Sequence, residues 1–280
     1  MTEVLLVTGA TGKQGGALIE SLLAAKSGHK IKALVRAPES GTAQHLASKG
    51  VELVKGDMSD AASLQSALQG VDRAFLVTTP YFPHGSDPEK ETETGKAFVD
   101  AAKKAGVKYI VFSSVASADK KSEVPHFDSK LHIQEHLAAS GITHSILHPV
   151  FFMDNIPKDK PNLGFWATVL EGRKLQMIAT TDIGKAGAEA ILNKDAFAGQ
   201  VIHLAGDNLD VNEMAEAFKS VRGIEADTTP VPKAALEGAG YDMNMMFKFF
   251  VRQGYEVDIS AVKKQFPQVQ SFREWLKAGA

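Results

Sequence analysis

The sequence predicts an α/β chain built on a doubly wound parallel sheet with a smaller C-terminal lobe, and three observations predict it. First, a buried-type strand, Glu3-Val4-Leu5-Leu6-Val7, runs straight into the loop Thr8-Gly9-Ala10-Thr11-Gly12-Lys13-Gln14-Gly15-Gly16, and the helical run Ala17-Leu18-Ile19-Glu20-Ser21-Leu22-Leu23 follows. Second, short apolar strands alternate with amphipathic helical segments through the first two thirds of the chain. Third, the pattern breaks after Pro149, and residues 230–280 gather Phe247, Phe249, Phe250, Phe266, Phe272 and Trp275.

Further strands are expected at residues 31–35, 51–55, 74–78, 109–113 and 144–147, beside the first at 4–8. Most are short apolar runs without strict alternation, as suits parallel strands covered on both faces. Ser63, Leu64, Ala67 and Leu68 share one helix side, with Gly70 where a C-terminal stop belongs. Ala97, Phe98, Ala101, Ala102 and Ala105 repeat this ahead of Gly106. Repeated βα units with a glycine loop in the first make the sheet Rossmann-type, with its ligand crevice at the carboxyl ends of the strands. Past Pro149, Phe151-Phe152-Met153-Asp154-Asn155-Ile156-Pro157 is apolar and then interrupted, and residues 158–164 read as a polar, proline-containing loop. Residues 201–205 return as a strand. Asp210 with Glu213 three positions on is a capping box opening a helix that runs to Val221, before Gly223. The expected division is a nucleotide-binding domain over 1–150 with a returning segment near 178–205, and a substrate or partner lobe over 151–177 and 206–280. The late aromatics either pack that lobe over the crevice or cap the sheet.

Gly9, Gly12 and Gly15 fall three apart, between a strand and a helix. That order builds a phosphate cradle: glycines let the backbone bend and approach a pyrophosphate, and the helix N-terminus behind them offers free N–H groups and partial positive charge. In an NAD site an acidic residue sits about 20 positions further on, against the ribose. Here Arg36 occupies that place, at the end of Ala33-Leu34-Val35-Arg36. A carboxylate would repel a 2′-phosphate, whereas a guanidinium bonds one through two N–H groups, so NADP(H) is favoured over NAD(H). Lys13 either adds a second positive charge or is simply solvated. Asp57, in Gly56-Asp57-Met58, either meets the adenine amino group or caps the next helix. The candidate cofactor contacts are thus Gly9, Thr11, Gly12, Lys13, Gln14, Gly15, Arg36, Asp57, Met58, Thr78, Thr79, Lys130, Pro149, Val150, Phe151 and Phe152.

Composition removes other classes. The chain of 280 residues has no cysteine, so disulfides, thiolate metal sites and cysteine nucleophiles are excluded, and redox chemistry must use a bound cofactor. A net charge of −2 gives no global field for nucleic acid or anionic lipid. The first strand begins within a few residues of Met1, which leaves no room for a signal peptide, and no apolar run approaches the roughly 20 residues that cross a bilayer. The expected location is the cytoplasm and no membrane or nucleic-acid partner is expected. The sequence leaves the oligomeric state open.

These residues together resemble the short-chain dehydrogenase/reductase superfamily and, within it, the NmrA-like atypical branch. The carriers are the 7–16 glycine segment, the Arg36 strand end, Gly56-Asp57, His126-Phe127-Asp128-Ser129-Lys130, Pro149-Val150-Phe151-Phe152-Met153-Asp154-Asn155, Asp182-Ile183-Gly184 ahead of an alanine-rich helix, and Met246-Phe247-Lys248-Phe249-Phe250. The branch contains NADP(H)-binding redox sensors that regulate a protein partner. It is also related to isoflavone-reductase-like enzymes and a quinone reductase that take hydride from NADPH. The resemblance therefore implies NADP(H) and leans to an oxidoreductase acting on a small quinone-, enone- or imine-like substrate. The alternative is a non-catalytic sensor.

The superfamily's usual catalytic pair is a tyrosine followed four positions later by a lysine. This chain has His126 and Lys130. With about 100° per residue, His126, Phe127, Leu131, Ile133, Gln134, Leu137 and Ala138 fall on the Lys130 side, and Asp128, His132, Glu135 and His136 fall opposite. An ammonium on that apolar side needs a partner, which the nicotinamide ribose would supply. Burial would ease loss of its proton and suit Lys130 to proton transfer. His126 either donates the proton the missing tyrosine would have given or merely starts the helix. His132 and His136 have i, i+4 spacing, but no third ligand is evident and their face is polar, so no metal site is expected.

Overall fold

The computed structural model describes residues 2–82 and 85–278. The elements of the first half are β1 (Val4–Val7), α1 (Lys13–Ala25), β2 (Lys30–Val35), α2 (Gly41–Ser48), β3 (Glu52–Lys55), α3 (Ala61–Ala67), β4 (Arg73–Val77), β5 (Tyr81–Phe82), β6 (Gly85–Ser86), α4 (Pro88–Ala105), β7 (Tyr109–Ser113) and α5 (Pro125–Ser140). Then come β8 (Thr143–Pro149), β9 (Phe151–Phe152), α6 (Leu163–Leu170), β10 (Leu175–Ile178), α7 (Thr180–Leu192), α8 (Lys194–Phe197), β11 (Val201–Leu204), β12 (Asp207–Leu209), α9 (Val211–Arg222), α10 (Gly240–Arg252), α11 (Ile259–Gln265) and α12 (Phe272–Lys277).

Seven strands form one sheet in the order β11-β8-β7-β4-β1-β2-β3. The registers of β1 on β2 and β4, β2 on β3, and β7 on β4 and β8 are all parallel. This is the doubly wound α/β arrangement that the alternating segments predict. The chain turns from β1 outwards in both directions, through β2 and β3 on one side and β4 and β7 on the other. The switch point therefore lies at the carboxyl end of β1, where the glycine loop begins.

The chain divides into two compact units. The first comprises Met1–Ser114, Ser129–Leu147 and Ile183–Ile202. Its core includes Leu6, Leu34, Phe98, Ile110, Phe112 and Ile133. Two glycines let helices approach closely. A Cβ at Gly95 would stand 2.4 Å from Ile133 Cδ1, joining α4 to α5, and one at Gly184 would stand 2.5 Å from the Ala17 carbonyl carbon, joining α7 to α1. α4 ends at Gly106 in the left-handed region (φ 80°), as its sequence predicts. On α5 the predicted inner face holds for Phe127, Lys130, Ile133 and Leu137, which are buried, but Ala138 is exposed.

The second unit comprises Val115–Asp128, His148–Asp182 and His203–Ala280. Its core is aromatic. Phe151 packs edge-on against Trp166 at 4.8 Å and Phe250 at 5.9 Å, Phe127 against Phe249 at 5.2 Å, and Phe218 against Phe272 at 5.7 Å. Such edge-to-face pairs add to area burial. The late aromatics thus form their own unit's interior: Phe266 and Phe272 are fully buried and Phe247, the least covered of the phenylalanines among them, is 5 % exposed. Within that unit Phe247, Phe249, Phe250, Phe272 and Trp275 each have a neighbouring aromatic ring. The expected loop also ends early. Asn162 caps α6 from Leu163, so Gly164 lies inside a helix, where a Cβ would stand 2.5 Å from Thr229 O. α7 starts at Thr180, which places Asp182-Ile183-Gly184 within it, and Asp182 Oδ2 accepts a hydrogen bond from Gln270 N at 2.7 Å. The capping box of Asp210 and Glu213 is present, and α9 stops at Gly223 with φ 66°. Among the described residues, no helix is long and apolar enough to cross a membrane.

Candidate functional site

The glycine loop is shaped as its spacing predicts. Gly9 takes φ +56°, a conformation that a Cβ disfavours, and Gly12 N donates to Gly9 O at 2.9 Å to close the turn. A Cβ at Gly15 would lie 2.3 Å from Gly9 O, and one at Gly12 would lie 3.2 Å from the same atom. Gly15 thus lets α1 sit against the turn. Gly12 is the N-cap of α1, with no side-chain cap and no acidic residue in the first turn. The positive end of a 13-residue helix thus lies beside exposed Thr11, Gly12 and Lys13, where it suits an anion. Gln14 is turned inward, where its Oε1 accepts from Ser113 Oγ at 2.6 Å and ties the loop to the end of β7. The loop therefore fits a pyrophosphate.

Arg36 is exposed just past β2, and its charge acts on Asp57 past β3. The Asp57 carboxyl is held below its ordinary range, first by hydrogen bonds from the Ser59 N–H at 2.8 Å and hydroxyl at 2.7 Å, then by Arg36. Of the two readings left open for Asp57, the helix cap is corrected. Asp60 caps α3 instead, because its Oδ1 accepts from Ala62 N at 2.9 Å. Met58 is half-buried against the first unit's core.

At the carboxyl end of β4 lies a cluster that the sequence did not disclose. Lys130 is buried, and its Nζ donates to Thr78 O at 3.0 Å, to Thr78 Oγ1 at 2.7 Å and to Glu91 Oε1. Glu91 is completely buried and also accepts from Thr78 Oγ1 at 2.7 Å and Ser129 Oγ at 2.5 Å. The partner that the Lys130 ammonium needs, for which the sequence offered a cofactor ribose, includes a carboxylate from α4 that supplies the counter-charge. Thr79 is exposed, and its Oγ1 accepts from Tyr81 N at 3.2 Å. Just past β7, the Ser114 hydroxyl is buried with no hydrogen-bond partner among the described residues.

In the second unit His126 Nδ1 lies 2.7 Å from Asp242 Oδ1. Asp242, like Glu91, was not legible as a site residue. Pro149, Val150 and Phe151 are buried in this unit, with Phe152 half-buried. The Phe151 ring belongs to the aromatic core. His136 Nε2 lies 2.7 Å from Asp100 Oδ1, which gives that histidine an ion-pair partner, and His132 is exposed.

Comparison with known proteins agrees with this geometry. Residues 1–276 match the NmrA-like family. Quinone oxidoreductase 2 of Escherichia coli is 31% identical over 208 residues, covering 73% of this chain and 69% of the relative. NAD(P)H azoreductase of Xenophilus azovorans is 30% identical over 246 residues, covering 85% and 82%. The crystal structure of the NADPH-dependent quinone oxidoreductase QOR2 from Escherichia coli, complexed with NADPH, superposes with a TM-score of 0.78 at 26% identity over 97% of this chain and 98% of that one. With a match over nearly the whole chain, and a strand–glycine loop–helix where that fold binds its nucleotide, the chain belongs to the NmrA-like family.

Proposed function

We propose that the chain is an NADPH-dependent oxidoreductase that reduces a small quinone-, enone- or imine-like acceptor. One observation carries the reading: the Gly9–Gly12–Gly15 turn opens onto an uncapped helix N-terminus, with Arg36 exposed at the end of the next strand. The relatives named for quinone and azo reduction support the redox class.

The N–H groups of Lys13 to Gly15 hold the pyrophosphate, and Arg36, aided by the Lys13 side chain, pairs with the 2′-phosphate. Asp57 faces the adenine end, and Thr78 the cofactor's middle. Bound NADPH supplies the hydride. The reduced acceptor then needs a proton, which His126, Lys130 or water delivers. Asp242 orients the His126 ring for that transfer.

The test is NADPH oxidation followed by absorbance against a panel of quinones, enones and imines. Turnover with any of them at a useful rate upholds the reading. Tight NADPH binding without turnover, together with a partner protein captured only in one redox state of the cofactor, would replace it with a sensor.

A further inference from the structure

Glu91 stands in the run Glu89-Lys90-Glu91-Thr92-Glu93, whose composition reads as a solvated helix face. Its side chain is nevertheless wholly inside the protein. It is brought there by the close contact of α4 with α5. Gly95, one turn beyond Glu91, admits Ile133, and Ile133 lies three positions beyond Lys130. That packing sets the carboxylate against the ammonium.

The hydrogen bonds of the cluster can be counted in full. A lysine ammonium has three N–H groups and no acceptor. Lys130 meets three acceptors, Thr78 O, Thr78 Oγ1 and Glu91 Oε1. Each of its protons is therefore taken by the protein. The Thr78 hydroxyl passes its own proton to Glu91 Oε1, and Ser129 engages Oε2. No Lys130 proton in this set is left over for a substrate. Burying such a pair costs desolvation that its attraction barely repays, so stability alone does not account for it. What the pair does is fix both the carbonyl and the hydroxyl of Thr78 at the end of β4, beside the crevice.

We infer that Glu91 is a positioning residue: with Lys130 it forms a closed, charge-balanced clamp on Thr78, and Lys130 is a fixed cation of that clamp and not the proton source of the reaction. This rests on the reductase reading and narrows it, since the proton then comes through His126 or water.

The two roles for Lys130 predict different results for conservative and paired substitutions. E91Q, T78V, E91Q/T78V, K130M and K130R are compared with the parent for kcat, for KM of a quinone such as menadione, for NADPH Kd by calorimetry and for thermal midpoint. E91Q, T78V and K130M are each expected to lose roughly tenfold or more in kcat with little change in quinone KM, and E91Q/T78V to be no slower than T78V, because Glu91 acts through Thr78. K130R keeps the charge and the N–H donors but holds its proton, so a fixed cation recovers several-fold over K130M and a proton source does not. Multiplied losses in E91Q/T78V overturn the inference, as does a K130R that is as slow as K130M. If E91Q does not fold, K130R against K130M decides. If the parent turns over none of the acceptors, the reductase reading is what fails. The clamp is then decided by NADPH Kd, weakened no further in E91Q/T78V than in T78V if Thr78 is held as described, and weakened multiplicatively if it is not.

Discussion

Asp242 holds His126 twice through a single oxygen: Oδ1 lies 2.7 Å from the ring Nδ1 and accepts the His126 main-chain N–H at 3.1 Å. The second contact satisfies one of the orphan donors in the first turn of α5, so the same carboxylate caps the helix and sets the ring. With Nδ1 engaged by Asp242, Nε2 is the ring atom that the proposed proton path uses. Asp242→Asn offers an amide in place of the carboxylate and removes its support for a charged ring. Turnover is expected to fall by about tenfold or more with NADPH affinity retained. Stopped assays and calorimetry on the same preparation check both halves, and unchanged turnover would remove His126 from the proton path.

In the proposed site Arg36 sets the choice of nucleotide. Arg36→Asp replaces a phosphate-binding fork by a group that repels phosphate and suits a bare ribose. NADPH affinity is expected to fall by about tenfold or more and NADH affinity to rise. Titration of both coenzymes reads the reversal, and parent-like NADPH affinity takes Arg36 out of the site.

Gly15 is the position where the loop tolerates least. A Cβ there would lie 2.3 Å from Gly9 O and 2.8 Å from Thr8 O, both backbone atoms that cannot swing aside. Gly15→Ala should therefore push α1 from the turn, at a cost of about 1–3 kcal/mol in stability, and remove most NADPH binding. A variant with the parent's melting midpoint and affinity contradicts the close contact.

His148 gives the fold an acid limit. Burial, reinforced by the neighbouring His203 ring at 5.2 Å, lowers its pKa from 6.5 to about 4. Above pH 6.5 the group is neutral both folded and unfolded and costs nothing. Between there and about 4 the unfolded chain binds a proton that the folded chain does not, so stability drops as pH falls, by about 3 kcal/mol in all from this residue. Below about 4 the loss is complete. His148→Phe keeps a ring and removes the titration, so its melting midpoint should fall less steeply than the parent's from pH 7 to 4. Parallel curves contradict the assignment.

Local chemistry made much of the architecture legible. The glycine turn, the apolar strands of β1 to β4, the Gly106 stop and the Asp210–Glu213 box are each encoded within a few neighbouring residues, and each is present. The site was legible only where it is local. Glu91 looks solvated in a charged run, and its partner Lys130 is 39 positions away, while Asp242 reaches His126 across 116. No periodicity records contacts of that span. The neighbours of the late aromatics were not legible, for a related reason. Density of rings says that something is buried but does not say against what, and here the rings bury one another.

The central claim is that the amides of Lys13 to Gly15, with Arg36 one βα unit on, grip a phosphorylated dinucleotide. Isothermal titration of the purified chain with NADPH and with NADP⁺ tests it most directly. The account predicts saturable one-site binding of both, weakened in Arg36→Asp and largely abolished in Gly15→Ala. No heat of binding from either form of the cofactor would contradict it.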